Sequence, residues 1–174
     1  SGFVLELLRS FINRHGTVSK RKMNDILDQY PNARPLLPDL IERLKRLFIL
    51  VETPASDGNQ AANELSFSHA ILAPVIREMH DLSDRPVQRA NRILKNKLID
   101  WSSGNKKNLL DAGDLAVVES AQQWLPNYFA NEQELITLSD KQRKKLNKSR
   151  LNKQIMAGLF VAFLILSIIS IGFL

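Results

Sequence analysis

Few residues of this 174-residue chain could carry chemistry. It has no cysteine, which excludes a disulfide framework and a thiolate metal site. A zinc site at its three histidines, His15, His69 and His80, would need Asp or Glu ligands, and no ligand spacing suggests one. Asp111 and Asp114 could share a helix face, as paired carboxylates must. Without a nucleophile or base nearby, a charge role at a helix N-terminus is the stronger interpretation.

Short catalytic and nucleotide-binding motifs are also missing from the sequence. It contains no G-x-x-x-x-G-K-[ST] loop, no G-x-G-x-x-G turn, no G-x-S-x-G elbow and no H-E-x-x-H pair. We therefore expect a chain that is not an enzyme by itself and that holds no metal or cofactor of its own.

Positive charge is concentrated near the C-terminus. The net charge is +6, and thirteen consecutive residues hold seven basic side chains and no acid. The rest of the chain contains 17 basic and 18 acidic residues, so it is nearly neutral. Nucleic acid is therefore not an expected partner. The seven form a predicted membrane-proximal basic segment: Lys141, Arg143, Lys144, Lys145, Lys148, Arg150 and Lys153.

The last twenty residues, 155–174, carry no charge, and their only polar side chains are Ser167 and Ser170. Twenty helical residues extend about 30 Å, the thickness of a bilayer core, which predicts a transmembrane helix. A buried core helix would usually keep a polar stripe. Basic residues before a span stay on the cytoplasmic side. We thus expect a single-pass protein of the inner (cytoplasmic) membrane, with its N-terminal part cytoplasmic and the lipid bilayer as a partner.

Hydrophobic spacing predicts a winged-helix domain over residues 1–81. Three helices are followed by a strand, a polar loop and a second strand, and the strand–loop–strand unit would be the wing. A further helix closes the domain. The predicted helices cover 3–13, 20–29, 36–46 and 69–81, and the predicted strands cover 47–52 and 64–68, on either side of a loop at 53–63.

The remainder is predicted to be a helical extension over 82–138, a basic juxtamembrane segment over 139–154 and the transmembrane helix over 155–174. Helices are expected over 87–101 and 111–123, and a last one begins near 131 or 139. The predicted fold class is therefore mainly α: a winged-helix domain with a small β-wing, then a helical segment and one C-terminal transmembrane helix.

One stretch resembles a known family. Residues 65–78 read LSFSHAILAPVIRE, residues 81–86 read DLSDRP and residues 88–94 read QRANRIL. This resembles the end of the winged-helix region, next to the membrane-proximal region, in bacterial STAND-type NTPases, which are signal transduction ATPases with numerous domains. The resemblance covers about residues 3–125, and only 65–94 is specific.

The resemblance implies a role for one histidine. In that family a strand leads into a His-Asp or His-Glu pair that opens a helix, and the histidine resembles a sensor that contacts the phosphates of bound ADP. The matching residue is His69, and Ala70 stands where the acid is usual. ATP or ADP and an upstream NTPase domain of the same chain are thereby implied for the full-length protein. The alternative is that His69 only packs at the base of the wing.

Two functions follow as hypotheses. The first is a regulatory and membrane-anchoring fragment of a STAND-like signalling NTPase, whose winged helix packs on the nucleotide domain. The second is a membrane-tethered winged-helix regulator that binds DNA, although its third helix also carries Asp39 and Glu42. Small residues in the span, Ala157, Gly158 and Ala162, would permit a homo-oligomer. The basic side chains considered for DNA are Lys20, Arg21, Lys22, Arg34, Arg43, Lys45 and Arg46.

Overall fold

The computed structural model describes residues 2–54, 63–102, 108–127 and 130–172, without the side chains of 102, 130 and 161–172. This part of the chain is mainly helical and has one small antiparallel sheet. The helices are α1 (Phe3–Arg9), α2 (Met23–Gln29), α3 (Leu37–Arg46), α4 (Leu72–Leu82), α5 (Pro86–Ser102), α6 (Ala112–Ala121) and α7 (Ala130–Gly172). The strands are β1 (Arg21–Lys22), β2 (Leu50–Thr53) and β3 (Glu64–Phe67), and single 3-10 turns lie at Pro31–Ala33 and Gln122–Trp124.

The sheet has the order β1-β3-β2, and both pairs are antiparallel. Leu50 lies opposite Phe67 in the β2–β3 pair, and Arg21 lies opposite Leu65 in the β1–β3 pair. The β1 pairing explains why the second helix begins only at Met23, not at residue 20 as predicted. Three helices precede the β2–β3 pair, so the winged-helix interpretation stays a prediction compatible with this order. The predicted loop at 53–63 lies mostly outside the described residues.

The first helix is shorter than its hydrophobic spacing predicts. α1 ends at Arg9, because Phe11 and Ile12 turn back along Val18 instead of continuing the helix. Gly16 has φ +81°, a left-handed conformation that permits this reversal. Phe11 accepts a hydrogen bond from the Ser19 backbone N–H at 2.8 Å, and its side chain packs on the sheet beside Phe67, at 5.8 Å between ring centroids.

Two clusters of buried apolar residues organise the molecule. We call the one formed by α1–α4 and the sheet the first core, and the one formed by α5, α6 and the start of α7 the second core. The first contains Phe3, Leu7, Phe11, Ile26, Tyr30, Leu37, Ile41, Leu44, Leu50, Leu65 and Phe67, among others. The second contains Val87, Ala90, Leu94, Trp101, Leu110, Leu115, Val118, Ala121, Leu125 and Leu135.

The two cores meet at an aromatic joint. The Phe3 ring lies 5.3 Å from the Trp124 ring and 5.4 Å from the Tyr30 ring, measured between centroids. Beside this joint the backbone N–H of Asn127 donates to the Gln29 carbonyl at 2.6 Å. The Gln88 side-chain amide donates to the Gly2 carbonyl at 3.0 Å. These contacts fix the helical extension directly against the first core.

The predicted transmembrane helix over 155–174 is wrong for the part of the chain that the structure describes. The backbone of α7 does continue to Gly172, but no helix among the described residues combines the length and the apolar character needed to span a membrane. The part of the apolar run whose side chains are described, 155–160, amounts to about 9 Å of helix against about 30 Å of bilayer core. It also follows directly on a segment rich in Lys and Arg. The side chains of 161–174 lie outside the described residues.

The predicted fold class and location change with this finding. The described chain is a mainly helical structure with a three-stranded antiparallel sheet, and the transmembrane element of the predicted fold class is wrong. The predicted single-pass location in the inner (cytoplasmic) membrane, with a cytoplasmic N-terminal part, depended on the same helix and is wrong with it. The lipid bilayer as a partner is not tested by this finding and stays a prediction.

Candidate functional site

His69 lies at the exposed base of the β2–β3 pair. β3 ends at Phe67, and the Ser68 backbone N–H donates to the Ile49 carbonyl at 3.0 Å, which extends the pairing by one step. His69 follows and is exposed, in a turn that leads into α4. The helix itself begins at Leu72, three residues later than predicted, and no side chain caps it. His69 therefore lies before the first turn of α4.

The turn around His69 leaves backbone donors available. The Leu72 N–H donates to the His69 carbonyl, and the Ala73 N–H donates to the Ala70 carbonyl, both at 3.1 Å. Within the described chain, the N–H groups of Ala70 and Ile71 make no hydrogen bond. An exposed imidazole beside unused N–H groups at the start of a helix is chemically suited to an anion.

Exposed apolar side chains surround this position in the fold. Phe48 is 77% exposed and Ile71 is 73% exposed, and Leu47 beside Phe48 is also exposed. Phe48 has φ +54°, and its carbonyl accepts a hydrogen bond from the Ser68 hydroxyl. A bulky residue in the left-handed region is strained, and such strain concentrates at functional sites. We call Leu47, Phe48, His69 and Ile71 the wing-base surface.

The other two histidines do not join this surface. His80 is buried on α4, and its Nε2 lies 2.9 Å from Oε2 of the buried Glu6 on α1. His15 is exposed in the Gly16 turn, where its backbone N–H donates to the Asn13 side chain. The pair of Glu6 and His80 is 74 residues apart in sequence, so no local pattern could have predicted it.

One of the two carboxylates considered for catalysis, that of Asp111, caps a helix. Asp111 is the N-cap of α6, and its Oδ1 accepts a hydrogen bond from the Asp114 backbone N–H at 2.8 Å. This is the capping geometry that stabilises a helix start. Over the residues that were described, no group of three or more His, Asp or Glu side chains could hold a metal ion.

Basic residues near α3 are partly engaged in pairs. Lys45 contacts Glu42 at 2.8 Å and Glu52 at 2.5 Å, and these hydrogen bonds raise the pKa of Lys45. The same contact with Lys45 lowers the pKa of Glu52.

The basic residues of the neighbouring β1 segment also have partners: Lys20 lies 3.7 Å from Glu64, and Arg21 donates to the Gln29 side chain at 2.8 Å. Lys22 is half-buried in β1. Three arginines, Arg34, Arg43 and Arg46, are exposed and make no ion pair in the described part of the chain.

The predicted basic segment lies on the exposed part of α7. Its first members fold back on the second core: Arg143 makes two hydrogen bonds to Glu119 of α6, at 2.7 and 2.9 Å. Asp140 contacts both Lys144 and Arg143 at 2.7 Å, and these hydrogen bonds hold its pKa below the ordinary value. The other members, Lys141, Lys145, Lys148, Arg150 and Lys153, are exposed. Among the described residues, no hydrogen bond or ion pair joins this segment to His69.

Sequence reasoning identified His69 but missed the apolar surface beside it. Leu47 and Phe48 were predicted to begin a strand over 47–52, and Ile71 was predicted only to belong to a helix over 69–81. A signal was present, because Ile71 does not share the helix face of the buried Ala73 and Ile76.

The chain matches no family model, no curated protein and no solved structure.

Proposed function

We propose that this chain is the regulatory, non-catalytic part of a STAND-like signalling NTPase. In this proposal the wing-base surface docks on a nucleotide-binding domain, and His69 contacts the phosphates of the bound nucleotide. The second core would transmit the docked or released state along the chain. The exposure of His69 among strained and apolar neighbours is the observation that carries the proposal.

The chemistry at His69 suits a switch that depends on phosphate. A protonated imidazole donates through both ring nitrogens, and the N–H groups of Ala70 and Ile71 add donors of fixed position. A contact made with one nucleotide state and lost with the other shifts a two-state equilibrium by its differential binding energy. Docking of Leu47, Phe48 and Ile71 would supply affinity that does not depend on the nucleotide.

The aromatic joint supports transmission to the second core. Phe3 packs on both Tyr30 and Trp124, so in this proposal a change in the position of the first core would be passed to the helices behind it. The backbone hydrogen bond from Asn127 to Gln29 adds a polar contact at the same place. The two cores would therefore respond to the nucleotide as one body.

The test begins with the coding sequence upstream of Ser1. The proposal expects a G-x-x-x-x-G-K-[ST] motif there, and a coding sequence without a nucleotide-binding domain would reject it. In the protein that carries both parts, His69→Ala should accelerate dissociation of fluorescent ADP by about tenfold, because a charge-assisted hydrogen bond is lost. His15→Ala, at the other exposed histidine, should leave this rate unchanged. An unchanged rate in His69→Ala would remove the sensor role.

DNA binding remains the weaker alternative. The exposed Arg34, Arg43 and Arg46 favour it, since they could neutralise phosphates. Against it, residues 1–81 contain ten Lys and Arg and ten Asp and Glu, so these charges cancel over the region. The acids Glu42, Glu52 and Glu64 also pair with basic residues of this region. Binding of a labelled duplex at micromolar protein, weakening steeply with salt and abolished in Arg43→Ala/Arg46→Ala, would reverse this preference.

A further inference from the structure

The part of α7 beyond the second core is exposed along its whole described length. Arg143 is half-buried and contacts Glu119, whereas every side chain over 144–160 is exposed. We call residues 144–160 the α7 extension, which amounts to about 25 Å of helix. Most helices in proteins owe their stability to the packing of one face on a neighbour. We therefore asked which surface has the chemistry to cover this one.

The α7 extension carries positive charge that no acid within it balances. It contains no Asp or Glu, and none follows in the sequence up to Leu174. Lys144 pairs with Asp140, but four further cations make no ion pair in the described part of the chain. A cluster of this size attracts an anionic surface. The four are Lys145, Lys148, Arg150 and Lys153.

The same extension also exposes large apolar side chains. Six of them are between 51% and 66% exposed. One shallow hollow brings both kinds of side chain together, since Met156 lines it beside Lys145, Lys148 and Lys153. The partner must therefore offer anionic groups next to an apolar phase. The six apolar residues are Leu146, Leu151, Ile155, Met156, Leu159 and Phe160.

The distribution of these side chains around the helix favours a lipid surface over the groove of a protein. At about 100° per residue, Lys148 and Arg150 lie roughly 160° apart, and Leu151 and Met156 lie roughly 140° apart. A protein groove covers one face of a guest helix, whereas head groups and acyl chains adapt to all sides of it. A nucleic acid would leave the apolar side chains in water, and a second α7 extension would bring like charges together.

We infer that the α7 extension binds the surface of an anionic lipid membrane. The cations contact the phosphate head groups, and the apolar side chains of 155–160 enter the boundary between head groups and acyl chains. Attachment to one surface requires no helix that crosses the bilayer. This inference does not involve His69 and stands independently of the proposed function.

The test is a flotation assay with the full chain and lipid vesicles. At low salt the chain should float with vesicles of phosphatidylcholine and phosphatidylglycerol in equal parts, and it should not float with phosphatidylcholine alone. High salt should release it, because salt screens the attraction between the cations and the head groups. Lys145→Glu/Lys148→Glu should weaken binding at least tenfold, since each cation near an anionic surface contributes about fivefold. Phe160→Asp should also weaken it at least tenfold, because it places a carboxylate in the apolar boundary.

Matched controls separate this surface from net charge and from folding. Arg89→Glu/Lys95→Glu makes the same change in charge at two exposed cations of α5 and should bind like the wild type. Leu36→Asp replaces an apolar residue of similar exposure, 54%, in the first core and should also bind like the wild type. Circular dichroism should be the same for all variants.

Three results would overturn the inference. The first is a chain that does not float with the anionic vesicles, or that floats equally with the neutral ones. The second is a loss of binding in Arg89→Glu/Lys95→Glu as large as in Lys145→Glu/Lys148→Glu, since net charge alone would then act. The third is unchanged binding in Phe160→Asp together with displacement of the vesicles by a labelled RNA, which would favour a nucleic acid as the partner.

Discussion

The two cores of the molecule differ in what they expose. The first core exposes large apolar residues at the wing-base surface and on α4, among them Phe48, Ile71 and Met79. Helices α5 and α6 and the first turns of α7 hide most of their apolar residues, with Ile99 as a marked exception. Beyond the second core, α7 exposes Leu146, Leu151, Ile155, Met156, Leu159 and Phe160. In the proposed function this difference would separate two tasks: the first core would dock on the nucleotide-binding domain, and the second core would support it from behind.

Two buried hydroxyl groups, Ser139 in the second core and Tyr30 in the first, have different hydrogen-bonding environments. Ser139 in the second core uses its hydroxyl fully, since it accepts from the Leu110 N–H at 3.0 Å and donates to the Leu135 carbonyl at 2.7 Å. In the first core the Tyr30 hydroxyl is buried without a hydrogen bond of normal geometry, although Ser10 lies near it. A buried hydroxyl of this kind costs the first core some stability.

The largest effect is expected where the two cores meet. Trp124 packs against residues of both clusters and contacts the Phe3 ring. Trp124→Ala should lower the free energy of unfolding by about 2–3 kcal/mol, somewhat less than a fully buried Trp, because the residue is half-buried. It should also split one cooperative transition into two, since the cores lose their main contact. Trp101 fluorescence would report the second core, and hydrogen exchange of α3 would report the first.

A control for this comparison is Leu146→Ala on the exposed part of α7. Leu146 is outside both clusters, so its removal should change stability little and leave a single transition. If Trp124→Ala retains one transition for both reporters, the cores are coupled by contacts other than the aromatic joint.

The sequence predicted the helices better than the sheet for a physical reason. Helical spacing is local, and α3, at Leu37–Arg46, lies within one residue of its predicted range. β1 was missed because its two residues are a strand only through pairing with Leu65 and Glu64, more than forty positions away. Phe48 was misread as strand because its φ of +54° reflects the chain reversal before β2, which propensity does not encode.

The candidate site was predictable only in part. His69 was found from a resemblance around residues 65–94, not from its surroundings. The exposure of its apolar neighbours depends on how the start of α4 packs against β2 and β3. This packing joins residues that are distant in sequence, so local patterns did not predict it. The transmembrane helix over 155–174 was predicted from the length and polarity of that segment alone. Neither property describes the structure of the segment, and the prediction is wrong for the described residues.

An effect of intermediate size is expected at the buried pair that joins α1 and α4. Glu6→Ala would leave His80 buried with only a 3.5 Å contact from its Nδ1 to Asp81. We expect a loss of about 1–3 kcal/mol in the free energy of unfolding, the cost of a buried polar group without its partner. Urea denaturation at neutral pH would measure it.

The matched variant for this pair is Glu6→Gln. Its side-chain oxygen can still accept a hydrogen bond from the imidazole, so it should lose clearly less stability than Glu6→Ala. Equal losses in the two variants would mean that packing of the Glu6 side chain, and not its contact with His80, stabilises the first core.

The smallest effect, and the only one expected to be favourable, is at Tyr30. Tyr30→Phe removes a buried hydroxyl that lacks a well-formed hydrogen bond and keeps the ring packed on Phe3, so it should be neutral or stabilise by up to about 1 kcal/mol.

The effect of Tyr30→Phe should also depend on pH. Burial, and then the nearby Glu6, raise the pKa of the Tyr30 phenol above its ordinary value of 10.0. The unfolded chain therefore loses this proton first as the pH rises, and the free energy of unfolding falls above about pH 10. The advantage of Tyr30→Phe should thus be constant below pH 9 and grow above pH 10. A difference that stays constant up to pH 11 would mean that the phenol ionises as easily in the folded chain as in the unfolded one.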